Sequence, residues 1–168
     1  MSVTFKGNPV SLAGKQLKAG DKAPAFTALS GLDSVSLAQT PAKARLFSVV
    51  PSLDTPVCSQ QTKKFEESIG GLKDKAACYT ISLDMPFAQK RFCTAENISN
   101  MQTLSDLHDQ SFGKNYGVLI KGLPIPLLSR AIFVVDKNDK ITYCEYVPEV
   151  GIHPNYEKAL EALKAAAG

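Results

Sequence analysis

Four cysteines, at positions 58, 78, 93 and 144, are the residues of this 168-residue chain whose types most readily do chemistry. They contain no Cys-x-x-Cys pair, which argues against a zinc ribbon and against the usual two-cysteine dithiol motif. Neither histidine, His108 or His153, neighbours a cysteine in sequence, so a Cys–His catalytic pair has little local support. Cys58 has the most informative surroundings, "VVPSLDTPVCSQQTKKF" over residues 49–65. Ahead of it, "RLFSVVPS" (45–52) is an apolar, β-branched run stopped by Pro51, the pattern of a buried strand running into a loop. Thr55 and Pro56 then read as an N-cap followed by proline at the first helical position.

Cys58 is thereby expected as the third residue of a helix, near the free amides of the first turn. The partial positive charge there favours an anion, and the thiolate is the nucleophilic form of cysteine. A second reading is plain core packing. Cys58, Phe65 and Ile69 fall on one helical stripe turned to the interior, and free cysteines are commonly buried. Local sequence leaves both readings open.

The other cysteines differ in setting. Cys78 lies inside the apolar run "AACYTISLD" (76–84), and Cys144 sits between tyrosines in "ITYCEY"; both read as structural. Cys93 lies in the polar segment "QKRFCTAEN" beside Lys90 and Arg91, where accessibility and a lowered thiol pKa are expected. Arg130 stands at the mouth of the apolar run "LLSRAIFVVD". A guanidinium there needs a partner, either a carboxylate in a structural ion pair or the Cys58 thiolate.

The elements that must position these residues follow from periodicity and turn signals. Residues 3–5 and 10–12 suggest a hairpin around "KGNP", and extended pieces at 20–29 and 34–37 are separated by Gly31. A strand at 45–50 leads to a helix at about 56–69, closed by Gly70 and Gly71, and a second strand at 76–84. A helical or looped segment at 86–97, a short strand at 102–106 and a short helix within 108–118 come next. "AIFVVD" and "KITYCEYV" flank the turn "KND", and an amphipathic helix with Tyr156, Leu160 and Leu163 on one side ends the chain. This order implies an α/β fold with a mixed sheet, as one domain over residues 1–168.

Composition bounds the function. With 44% hydrophobic and 21% charged residues and a net charge of +3, the chain has no basic, aromatic-rich run for nucleic acid. It offers no membrane-length apolar segment and no signal-peptide pattern, so a cytoplasmic location is expected, where four cysteines are not a disulfide framework. "SIGGLKDK" lacks the spacing of a phosphate loop, and "DLHD" and "DKND" complete no calcium loop, so neither cofactor nor metal is expected.

Three stretches then join up. "PSLDTPVC" reads Pro51-x-x-x-Thr55-x-x-Cys58, the peroxidatic signature of the peroxiredoxins. With "DMPFAQKRFC" (84–93) and "LLSRAIFVVD" (127–136), the chain closely resembles the bacterial thiol peroxidases, the atypical two-cysteine branch of that superfamily, over essentially its whole length. The resemblance implies a thioredoxin-like fold with a mixed central sheet flanked by helices, an added N-terminal β-hairpin, and a homodimer. It implies that Cys58 is peroxidatic and Cys93 resolving, through an intramolecular disulfide, with Thr55 and Arg130 activating and Pro51 shielding the pocket. Thr55 would donate its hydroxyl hydrogen to the thiolate or to a peroxide oxygen. Hydroperoxides are the implied substrates and thioredoxin the implied reductant. "IKGLPIPLLSR" (120–130) departs from the pattern by carrying Pro124 and Pro126 just ahead of Arg130. The rival readings are a peroxide-sensing switch that oxidises once with little turnover, and a non-catalytic interaction domain.

Overall fold

The computed structural model describes residues 2–168. It opens with the expected hairpin, β1 (Val3–Phe5) and β2 (Asn8–Leu12). The turn residues Lys6 and Gly7 have φ of 52° and 78°, the paired left-handed conformations that suit a two-residue hairpin. β3 (Thr27–Ser30) and β4 (Asp33–Ser36) pair around Gly31 and Leu32. β5 (Ala44–Val49), α1 (Pro56–Ser68), β6 (Ala76–Ser82), α2 (Pro86–Ala95) and β7 (Met101–Ser105) then form two successive strand–helix–strand units. The chain continues through α3 (Ser111–Asn115), β8 (Leu119–Lys121), β9 (Leu127–Leu128), β10 (Ala131–Val135), β11 (Ile141–Tyr146) and α4 (Tyr156–Ala167).

A seven-stranded sheet runs β11-β10-β5-β6-β7-β3-β4, and a four-stranded one runs β1-β2-β8-β9. β5, β6 and β7 are parallel, as helical crossovers demand, while β10 is antiparallel to β5 and to β11. Every residue of β5, β6 and β10 is buried, because both faces of these central strands are covered. Side chains alternate between the two faces. Phe47, Tyr79 and Phe133 meet Phe26, Phe112 and Tyr116 on one side; Leu46, Cys78 and Ile132 meet Phe65, Ile69, Ala159 and Leu163 on the other. In the first cluster Phe112 and Tyr116 stack at 4.0 Å, an aromatic contact worth about 0.5–1.5 kcal/mol beyond area burial.

The expected mixed sheet, N-terminal hairpin and terminal helix are all present, and within the segment at 86–97 the helix α2 covers Pro86–Ala95. Two features differ. Gly70 and Gly71 do not end α1 through a left-handed residue. Ile69, anchored in the core, keeps a helical conformation, and the chain tightens into a 3-10 turn over Gly70–Leu72. The strands β8 and β9 have no counterpart in the sequence pattern. They are two or three residues long, and β8 pairs with β2 more than a hundred positions away. Pro124 and Pro126 are exposed in the connection between them, so they interrupt no ladder and leave Arg130 buried.

α1 and the approach to β7 are tied by Glu66, whose carboxylate accepts the N–H groups of Ser99 (2.7 Å), Asn100 (2.9 Å) and Met101 (2.7 Å). Burial pushes this carboxyl up, but the three amides outweigh it and the net shift is downward from the usual 4.5. A lowered carboxylate stabilises the fold above its ordinary titration range, and the contribution fades as the group protonates in acid. Glu66→Ala is therefore expected to cost about 1–2 kcal/mol at neutral pH by denaturant unfolding. The gap to the wild type should narrow as the pH falls below 4.5.

Candidate active site

β5 ends at Val49, and the loop after it carries Pro51 and Thr55 to the start of α1. Asp84, just beyond β6, braces that loop. Its carboxylate accepts the Ser52 hydroxyl at 2.7 Å, the Leu53 amide at 2.8 Å and the Ser82 hydroxyl at 2.8 Å. Cys58 follows on the buried stripe of α1 with Gln61, Thr62 and Phe65, and it is fully buried. The parallel strands deliver the helix N-terminus to their carboxyl ends, where its unpaired amides and dipole favour negative charge.

Arg130 meets Cys58 from the opposite side. It is 2% exposed, and its Nη2 donates to Cys58 Sγ at 3.3 Å. Nε donates to the Val150 carbonyl and Nη1 to Gln61 Oε1, both at 2.9 Å. Gln61 is itself fixed, because its Nε2 donates to the Ser48 hydroxyl of β5 at 2.7 Å. No carboxylate among the described residues pairs with Arg130, which decides the open question about its partner. The planar fork reaches three partners on two segments, Cys58 and Gln61 of α1 and Val150 after β11, something a lysine could not do. Sequence reading missed Gln61 and Ser48. The signal was available for Gln61, a polar residue three positions after Cys58 on the stripe that faces the core.

Thr55 begins α1 in extended conformation, but its side chain makes no capping bond. The expectation that its hydroxyl hydrogen is free for sulfur or peroxide is corrected here: Oγ1 donates it to the Ser52 carbonyl at 2.8 Å. With the hydrogen committed, what the hydroxyl still offers is a lone pair. Phe5, Pro51, Thr55, Leu127, Arg130 and Val150 are among the residues that line a depression of about 290 Å³.

Cys93 sits on α2, half-buried, against the apolar cluster that contains Cys58, Val50, Leu53 and Phe92. The expected lowering of its thiol by Lys90 and Arg91 is not found. Burial pushes the Cys93 thiol up, with Thr103 pulling weakly the other way. For Arg91 the reason is helical geometry. Residues two apart point to opposite sides, so Arg91 turns outward and reaches Asp54 at 3.2 Å. Burial also raises Cys78, to about 12, and Cys144, whose S–H donates to the Leu17 carbonyl. Among the four cysteines, Cys58 is the one whose sulfur accepts from a guanidinium. His108 and His153 are both exposed, and His153 meets Tyr156 rather than a thiol.

A parallel strand–helix core with a buried, arginine-bound thiol at a helix start defines the redoxin class of thiol proteins. A family model described as Redoxin matches residues 18–160. The chain is 54% identical to a thiol peroxidase from Halalkalibacterium halodurans, with 98% of both chains covered. It is 51% identical to one from Bacillus subtilis, covering 97% of this chain and 96% of that one. A peroxiredoxin-like protein from Aquifex aeolicus superposes with a TM-score of 0.91 at 40% identity, over 98% of this chain and 96% of that one. The chain belongs to the thiol peroxidases, a family of peroxiredoxin enzymes. No helix among the described residues is long and apolar enough to cross a membrane.

Proposed function

We propose that the chain reduces hydrogen peroxide and organic hydroperoxides at Cys58, with Cys93 resolving the oxidised product and thioredoxin restoring both thiols. The observation that carries this reading is the 3.3 Å hydrogen bond from Arg130 to Cys58 Sγ at the start of α1. The Cys58 thiolate attacks one oxygen of the O–O bond. The sulfur gains that oxygen as a sulfenic acid, and the other oxygen leaves with its electron pair and takes a proton, departing as water or alcohol. Arg130 and the first-turn amides are aimed at the charge that develops as the O–O bond breaks, while Thr55 accepts the peroxide O–H and orients it. Pro51 covers the thiol side of the depression.

The Cys93 thiol then condenses with the sulfenic acid, forming the Cys58–Cys93 disulfide and releasing water. A dithiol reductant is oxidised as it reduces that bond. Cys93, whose thiol burial pushes up, is poorly disposed to react with peroxide first. A disulfide needs α-carbons within about 7 Å; if those of Cys58 and Cys93 stand farther apart, the start of α1 and the Cys93 turn of α2 unwind locally before it closes. The ion pairs Arg91–Asp54 and Lys63–Glu96 join these two segments and part in that step. We further read the chain as one cytoplasmic domain that works as a homodimer, by its likeness to the bacterial thiol peroxidases.

Cys93→Ser tests the cycle. Stoichiometric peroxide should add one oxygen to Cys58, seen by intact mass, and steady turnover with thioredoxin should be lost. Undiminished turnover in that variant would remove Cys93 from the mechanism. Continuous peroxide consumption by the unsubstituted protein separates an enzyme from a switch that oxidises once and stops.

A further inference from the structure

The depression beside Arg130 is much larger than hydrogen peroxide needs. A water occupies about 30 Å³ in the liquid. Hydrogen peroxide, roughly two waters in bulk, leaves most of the 290 Å³ unused. Its lining includes the polar residues Lys6, Ser52, Thr55 and Arg130, and otherwise presents apolar side chains, among them Phe5, Pro51, Leu127 and Val150. Two of those apolar residues come from segments far apart in sequence, the N-terminal hairpin and the stretch after β11.

One carboxylate joins these segments. Glu149 Oε2 accepts from the Thr4 hydroxyl and from the Gly7 amide at 3.1 Å; Oε1 accepts from the Lys6 and Gly151 amides, each at 3.1 Å. The Thr4 hydroxyl and the Gly151, Gly7 and Lys6 amides hold this carboxyl down at about 2, so it is charged in neutral solution. Backbone bonds from Thr4 to Pro148 (2.8 Å) and from Val150 to Thr4 (2.9 Å) flank it. The base of the hairpin is held separately, through Ser11↔Lys121 and Leu12↔Ile120 between β2 and β8. Glu149 therefore fixes the tip that carries Phe5, not the hairpin as a whole.

We propose that Glu149 is a positioning residue that holds the hairpin tip as an apolar wall of the pocket, and thereby sets the advantage of bulky organic hydroperoxides over hydrogen peroxide. The proposal rests on the reading of Cys58 as the peroxide-reducing thiol. An alkyl or aryl tail gains apolar contact with the wall; hydrogen peroxide has nothing to place there.

The test is the rate of Cys58 thiol loss in reduced protein mixed with cumene hydroperoxide or hydrogen peroxide, without reductant, for the wild type, Glu149→Ala and Glu149→Gln. In Glu149→Ala the cumene hydroperoxide rate should fall about tenfold, the effect of losing about 55 Å² of apolar contact, with the hydrogen peroxide rate within about twofold. Amide hydrogen exchange should rise over residues 3–8 and stay unchanged in the β5–β6 core. Glu149→Gln, which keeps one acceptor oxygen, should fall between the two and carries the test should the alanine variant not fold. Equal losses with both peroxides, or an unchanged ratio, would overturn the proposal and leave the role of Cys58 standing. A wild type inert to both peroxides would instead overturn the reading of Cys58, and the proposal with it.

Discussion

Cys58→Ser is expected to abolish thioredoxin-dependent peroxide consumption, by about 10⁴-fold or more, because loss of a nucleophile leaves only binding and the surrounding donors. A serine alcohol is far harder to ionise than a thiol, and the step from peroxide to sulfenic acid has no oxygen counterpart of comparable ease. The fold should survive the change. The site is buried, but Arg130 Nη2 now stands at 3.3 Å from the sulfur and can donate to a hydroxyl in its place. Peroxide loss in a coupled thioredoxin assay is the measurement, with thermal unfolding as the control. Retained activity in a folded C58S protein would return Cys58 to a packing role and move the chemistry elsewhere.

The second large effect is expected at Arg130. Arg130→Met should slow the oxidation of Cys58 by about 10²–10³-fold, the size found when a donor aimed at developing negative charge is removed. Arg130→Lys should recover little of it. An ammonium can approach the sulfur but cannot at the same time serve Gln61 Oε1 and the Val150 carbonyl, each now bonded at 2.9 Å. Both variants leave buried acceptors without donors, at about 1–3 kcal/mol for each unsatisfied group. The rate is therefore read on protein shown to be folded, as single-turnover thiol loss against peroxide concentration. An R130M protein that folds and reacts at the wild-type rate would show the first-turn amides of α1 to be sufficient alone.

Much of this is legible in the sequence. The run 45–52, the Thr55–Pro56 start signal and the stripe through Phe65 and Ile69 are local patterns, and α1 forms where they indicate. The hairpins at 3–12 and 131–146 follow from turn chemistry that acts within a few residues. Thr55 and Arg91 were harder, because hydrogen-bond direction is not a property of sequence spacing. The Thr55 hydroxyl turns to Ser52, three residues back, while the cation at Arg91 points away from Cys93 to Asp54.

The sequence by itself determined most of the strands and helices, β8 and β9 excepted, and that one cysteine would sit in the first turn of a helix behind a proline-stopped strand. Those outcomes depend on hydrophobic period and capping, which act over a few residues. Only the tertiary structure decided that Arg130 meets Cys58 rather than a carboxylate, through Gln61, Ser48 and Val150. It alone decided that Glu149 clasps a hairpin more than 140 residues away beside the same depression. Such pairings form where buried donors must find acceptors once the sheet has closed, and a hydrogen bond between distant residues leaves no periodic trace in a single chain.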